Sequence, residues 1–165
     1  MIVLGVDPGT LVTGYGLIEC RPGSAHRHLD HGTVRTDARS PLWERLHHIH
    51  GALSEVAARW RPAALSLEQC FVSKNVQSAL KLGHTRGVIM VAGLAHGLEV
   101  HEYTPGQIKS AVTGSGRADK HQVAEMVRVI LGLPEAPPYD AADALAAAIC
   151  HGNGAGLRLV AGGRR

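Results

Sequence analysis

The segment Ile2-Val3-Leu4-Gly5-Val6-Asp7-Pro8-Gly9-Thr10 constrains the fold more than any other part of the chain. Its apolar run reads as a buried strand. Asp7 closes that strand, and Pro8-Gly9 turns the chain back into a second run, Thr13 to Glu19. An acid at the end of so apolar a run costs several kcal/mol of desolvation unless something cationic meets it. The remaining sequence has to supply that cation.

At 165 residues and 17.4 kDa the chain suits one well-buried core and is too short for two ordinary domains. Its longest apolar run, Val88 to Ala95, falls far short of a membrane span, and no basic segment or cleavage site marks a signal peptide. The expected location is the cytoplasm. Cys20, Cys70 and Cys150 show no CxxC or Cys/His spacing, so they read as reduced structural thiols. The net charge is +3 and the pI about 9.0. From Phe71 to Arg128 there are seven Lys/Arg against four Asp/Glu, a balance that suits a polyanionic partner and equally an ordinary solvated surface.

A third strand is expected from His28 to Thr36, completing an antiparallel meander. Ser40 as N-cap and Pro41 as first residue open a helix in which Leu42, Leu46, Ile49, Leu53, Val56 and Trp60 form an apolar stripe, ended by Pro62. Ala63 to Glu68 is a short strand that, like the first, ends in an acid. A loop holding Phe71 and Lys74 leads to a helix from Val76 to His96, where Gly83, Gly87 and Gly93 permit close approach of a neighbour. Leu98 to Tyr103 is a further strand. Thr104 with Gln107, and Asp119 with Gln122, have capping-box spacing. Val123, Met126, Val127, Ile130 and Leu131 are the expected inward face of the second capped helix, which stops at Gly132. A last helix runs from about Tyr139 to Cys150. Residues 1–151 thus form one α/β domain with a mixed sheet, and the Gly/Arg-rich residues 152–165 a tail expected to be mobile.

Four acids stand out. Asp7 and Glu68 each close an apolar strand, and Asp140 and Asp143 lie three apart on one helix face beside small Ala144 and Ala147. Such a helix can dock closely on strand ends and bring its carboxylates to the other two. Four clustered acids raise one another's pKa, which makes sense where hard divalent cations bind. Paired Mg²⁺ ions about 3.5–4 Å apart serve phosphodiester cleavage in this way. Singly, each acid has a plainer explanation: Asp7 as a turn former, Asp140 as a first-turn helix acid, Glu68 as the partner of an arginine. Together they are much harder to explain without a shared role.

The blocks "GVDPGTLVTGYG", "EQCFVSKNVQSALKLGHTRG", "YTPGQIKSAVTGSGRADKHQV" and "DAADALAAAI" resemble, in order and spacing, those of the RuvC Holliday-junction resolvases, over Met1 to about His151. The resemblance implies an RNase H-like fold with a five-stranded mixed sheet, antiparallel at its first three strands and flanked by helices. It implies a homodimer that nicks two opposed strands of a four-way DNA junction in recombination and repair, leaving 5′-phosphate and 3′-hydroxyl ends. Its catalytic and metal-binding acids fall on Asp7, Glu68, Asp140 and Asp143, with two Mg²⁺ per site and Mn²⁺ as a substitute. Some members carry His at the first acid of "DAAD"; here Asp140 keeps the all-carboxylate pattern. Lys109 and Lys120 match lysines near the cleaved strand, and Phe71 an aromatic that engages bases at the junction centre. Lys74, Lys81, Arg86 and Arg117 are further phosphate-contact candidates, and RuvA and RuvB are partners implied by the resemblance.

From the residues alone, Lys109 and Lys120 could equally be solvated surface lysines, and Phe71 could fold back onto the core. The eleven histidines follow no ligand spacing and read mostly as surface residues, with His121 set apart only as the neighbour of Lys120. Three other readings compete. "GVDPGT" also suits the phosphate hairpin of an actin-like ATPase, but that architecture needs two lobes and a late glycine-rich adenosine motif. A junction-binding protein without cleavage would not need all four acids. An RNase H-like nuclease acting on an RNA–DNA hybrid or a flap shares the fold, which does not by itself separate substrates.

Overall fold

The sheet is built around β1 (Ile2–Asp7). It pairs antiparallel with β2 (Val12–Glu19), which pairs antiparallel with β3 (Arg27–Arg35). On its other side β1 runs parallel to β4 (Ala64–Glu68), and β4 parallel to β5 (Glu99–Tyr103), giving the order β3-β2-β1-β4-β5. Helices α1 (Leu42–Trp60), α2 (Val76–Ala95), α3 (Pro105–Thr113), α4 (Lys120–Leu131) and α5 (Tyr139–Gly162) complete the chain. The computed structural model describes residues 1–21, 24–69 and 75–162, the last eight by backbone alone. Among the described residues no helix is long and apolar enough to cross a membrane.

The two-residue alternation of a strand divides the core into two layers. Leu4, Val6, Leu17, Leu65 and Leu67 project to one side and pack with Ile49, Leu53 and Ala57 of α1 and Ile89 of α2. Val3 and Ile18 project to the other and join Ile108, Val112, Val123, Val127, Leu145 and Ile149 of α3, α4 and α5. Helix α5 is the centre of this second layer, and Ala141, Ala142 and Ala144 through Cys150 are all buried. A helix covered on every side needs no amphipathic stripe, only small residues where it meets other backbones.

The strands supply the matching small residues. A Cβ on Gly5 would stand 1.9 Å from the Ala144 carbonyl oxygen, and one on Gly14 1.9 Å from that of Asp140. At Gly16 it would stand 2.5 Å from Leu145 Cγ. Gly5, Gly14 and Gly16 therefore let the backbone of α5 lie almost on that of β1 and β2.

Several local expectations need correction. Pro41, not Ser40, occupies the N-cap of α1, and no side chain caps that end; Ser40 N–H instead turns back to the Asp37 carbonyl. Both capping boxes form, at Thr104/Gln107 and Asp119/Gln122. On α4 the buried face is Val123, Ala124, Val127 and Leu131, so Ala124 is buried while Met126, at the edge of that face, is 36% exposed. Among the described residues, Gly93 of the three α2 glycines meets a neighbour, Leu65, while Gly83 and Gly87 meet none. Helix α5 passes Cys150, where the sequence suggested an end, and runs to Gly162. There Gly152 is a packing residue, lying against Cys20 and His26, and Asn153 bonds His26 Nε2 at 2.9 Å and the Ala111 carbonyl. These contacts offset the helix-breaking cost of about 1 kcal/mol per glycine.

Candidate active site

Asp7 and Glu68 end neighbouring parallel strands. Gly5 pairs with Ser66 and Val6 with Leu67, so the next step of the register sets Asp7 beside Glu68, both on the α5 side of the sheet. Asp7 also pairs with Gly14, and Gly14 is the residue on which the Asp140 backbone rests. The first turn of α5 thus lies over the pair Asp7–Gly14. Its Asp140 and Asp143, three residues apart, are carried to the ends of β1 and β4. Ser66 Oγ donates to the Ala147 carbonyl at 2.7 Å in the buried interior and fixes α5 against β4.

The electrostatics follow from this convergence. Burial pushes the Asp7 carboxyl up to about 7, reinforced by the charges of Asp143, Glu68 and Asp140 and opposed by Lys120. Glu68 is raised by burial and by Asp143, against Lys109, Lys120 and Arg86. Asp143 is raised by burial and by Asp140, against Lys120 and Lys109. Lys120, the first residue of α4, holds Nζ 3.9 Å from Asp143 Oδ2. Its side chain is 71% exposed, so this ion pair is loose and its ammonium faces solvent.

The donor chemistry is that of hard oxygen ligands for a hard cation such as Mg²⁺ or Mn²⁺. Among the described residues no three His, Cys, Asp or Glu side chains close on a common point as they stand. The acids act on one another through their charges: Asp143, Glu68 and Asp140 each raise the Asp7 carboxyl, and Asp140 raises Asp143. Like charges assembled at partly buried strand ends, offset only in part by Lys109, Lys120 and Arg86, fit a divalent cation better than any plainer structural role.

The structure brings together Asp7, Glu68, Asp140, Asp143, Lys109 and Lys120. Arg86 stands apart from the other basic candidates. One of its guanidinium nitrogens donates to the Glu68 carbonyl and another to the Glu102 carboxylate, so it grips the end of β4 from within the protein rather than presenting a free fork to phosphate. Lys81 is exposed on α2 and Arg117 on the α3–α4 link. Phe71, Lys74 and Cys70 lie outside the described residues; Cys20 and Cys150 are buried free thiols. Three histidines are not the plain surface residues expected. His28 Nε2 and His31 Nδ1 are 2.8 Å apart on β3, and buried His151 bonds the Tyr103 hydroxyl through Nδ1 at 2.8 Å.

The sequence reading missed the glycines that admit α5. The signal was present: Gly5 in β1, and Gly14 and Gly16 two apart in β2, put small residues on one sheet face opposite an alanine-rich helix. It also missed Arg45, which sits among the apolar positions of α1 yet is only 9% exposed.

The family model "Crossover junction endodeoxyribonuclease RuvC" matches residues 3–151. A protein of that name from Geobacter metallireducens is 51% identical over 160 residues, covering 97% of each chain. Another from Syntrophotalea carbinolica is 53% identical over 151 residues, covering 92% of this chain and 93% of the relative. Among solved structures, Thermus thermophilus RuvC in complex with Holliday junction substrate superposes with a TM-score of 0.90 at 40% identity over 96% of each chain. The RNase H-like arrangement of mixed sheet and helices is therefore shared with a RuvC structure. By sequence along its length and by fold, the chain belongs to the RuvC family and is a Holliday-junction resolvase, a crossover junction endodeoxyribonuclease.

Proposed function

We propose that Asp7, Glu68, Asp140 and Asp143 form a metal-dependent centre, loaded with two Mg²⁺ and able to use Mn²⁺, that hydrolyses a junction phosphodiester to 5′-phosphate and 3′-hydroxyl ends. The observation that carries this reading is that the β1–β4 register and the docking of α5 set all four acids at one end of the sheet, where burial first, and the charges of Asp143, Glu68 and Asp140 after it, push the Asp7 carboxyl up to about 7. When bound, such ions activate water and offset charge on the leaving oxygen. The protein's part is positional. Asp7 and Glu68 are fixed by the register of β1 and β4, and Asp140 and Asp143 by the close docking of α5. Lys120 and Lys109 lower the pKa values of Asp143 and Glu68, favouring the ionised ligand state, and offer positive charge to the phosphate. Phe71 stacks on an unpaired base for ~1–3 kcal/mol, and Lys74, Lys81 and Arg117 contact backbone phosphates. Arg86 supports Glu68 instead.

Symmetric incision requires two copies, and α2 offers a surface for the second. Val76, Leu80, Val91 and Leu94 are each 58–68% exposed and fall with Gly83 and Gly87 on one stripe at spacings of 4, 3, 4, 4 and 3. The open space over both glycines supports close contact with the same helix of a partner. The enzyme acts on chromosomal junctions in the cytoplasm, together with RuvA and RuvB, as goes with its family.

The deciding experiment compares wild type with Asp7→Asn on a synthetic four-way junction in Mg²⁺ and in Mn²⁺. The variant is expected to bind the junction and not cut it. Cutting by Asp7→Asn at the wild-type rate would sink the metal-site reading. Equal cutting of linear duplex or RNA–DNA hybrid by wild type would show that these residues do not select the junction.

A further inference from the structure

The turn after Asp7 is held by a residue that neither binds a metal nor faces the junction in the reading above. Arg45 of α1 lies on the opposite side of the sheet from α5 and is 9% exposed. Its Nε and Nη2 donate to the Thr10 carbonyl at 3.1 and 2.6 Å, and Nε also reaches Thr36 Oγ1 at 3.2 Å. Thr36 Oγ1 donates to the same Thr10 carbonyl at 2.6 Å, and Thr36 N–H to the Leu11 carbonyl at 3.0 Å. Fully buried Thr13 donates through Oγ1 to the Gly9 carbonyl at 2.6 Å. Three successive carbonyls of the turn are thus gripped, one of them by a guanidinium.

The charge is the informative feature. Each of those hydrogen bonds from Arg45 ends on a neutral oxygen, although Asp37 and Glu44 line the same recess, so the guanidinium serves the turn rather than an ion pair. A methionine or leucine there would bury as well but would leave the Thr10 carbonyl without those donors. What only the guanidinium provides is a planar fork, two N–H groups fixed on one carbonyl. That carbonyl belongs to Thr10, three residues beyond Asp7 and inside the turn that joins Asp7 to its pairing partner Gly14.

We infer that Arg45 is a positioning residue for the active site: its fork on the Thr10 carbonyl locks the Pro8–Leu11 turn and thereby the carboxylate of Asp7. This rests on the reading of Asp7 as a metal-centre acid. A carboxylate misplaced by about 1 Å costs ~10²-fold in rate, whereas junction binding is carried by other residues.

The test uses the full chain as Arg45→Ala, Arg45→Lys and Asp7→Asn, measuring single-turnover cleavage, junction Kd, thermal midpoint and amide hydrogen exchange of residues 8–14. Arg45→Ala should cut about 10²-fold more slowly with wild-type Kd, exchange faster in 8–14, and recover rate when guanidinium ion is added at concentrations that leave wild type unaffected. Should that variant fold poorly, Arg45→Lys decides: it keeps the charge but lacks the fork, and should be slow with unchanged Kd and a thermal midpoint near wild type. Wild-type cleavage by Arg45→Lys, or a slowing matched by an equal loss of Kd, overturns the inference. If Asp7→Asn is inactive while the Arg45 variants cut normally, only this inference fails; if Asp7→Asn cuts normally, the reading beneath it fails first.

Discussion

The two faces of the sheet are built on opposite plans. On the α1/α2 face, Leu4, Val6, Leu17, Leu65 and Leu67 interdigitate with Ile49, Leu53 and Ile89, side chain against side chain. On the α5 face, Gly5, Gly14 and Gly16 remove the side chains, so a helix of alanines lies backbone to backbone on the strands. The first plan tolerates small rearrangements, because flexible side chains share the contact. The second has no slack, and the acids sit on that side. The difference teaches that the site is aligned by the absence of atoms, and that its distances depend on a helix having no freedom to back away.

The sharpest way to break this contrast is to add one methyl on the α5 face and to remove side-chain atoms on the α1/α2 face. Gly5→Ala puts a Cβ where the Ala144 carbonyl lies, and is expected to cost more than about 3 kcal/mol, enough to lose soluble, active protein. Expression and denaturant melts read this directly, and a mild effect would mean that α5 has room to move. On the other face the damaging change is removal: Leu67→Ala, fully buried, should cost about 2–5 kcal/mol and leave cleavage per folded molecule unchanged.

The charge on the α5 face gives a pH signature that the apolar face lacks. Asp7 is raised by burial and by its neighbours from 3.8 to about 7, so the folded metal-free protein binds a proton that the unfolded chain has released. Stability from this source is full below pH 3.8 and is lost as pH rises to about 7; Glu68 and Asp143, also raised, act in the same sense. In chelator the thermal midpoint should fall from pH 5 to pH 8, and Asp7→Asn should flatten that fall. Added Mg²⁺ should restore more at pH 8 than at pH 5. A midpoint rising over this range in wild type would contradict the clustering of the acids.

Smaller changes sharpen the comparison further. Ser66→Ala removes the cross-element bond to the Ala147 carbonyl, which keeps its partner within α5, and should cost about 0.5–1.5 kcal/mol, with a slower cleavage step as α5 loosens from β4. Gly87→Ala, facing open space on α2, should stabilise the isolated chain by up to about 1 kcal/mol when melted at concentrations too low for dimers. A loss there would mean that the α2 stripe packs within its own chain.

The sequence by itself determined the elements and the acids. Strand β1 ends at Asp7 as read, because an apolar run followed by Pro-Gly has few alternatives, and both capping boxes form because their partners are three residues apart. Such features are local, and local spacing is what a sequence displays. The convergence of Asp7 and Glu68 with the start of α5 was foreseeable only as a possibility, since it depends on a parallel pairing between residues about sixty positions apart. Only the tertiary structure decided that Arg86 turns inward to the Glu68 carbonyl, that Gly152 packs rather than breaks its helix, and that Arg45 reaches the Thr10 carbonyl to hold a turn. The reason is common to all three: a residue's type limits what it can bond, but the atoms it meets are set by the packing of segments far apart in the chain.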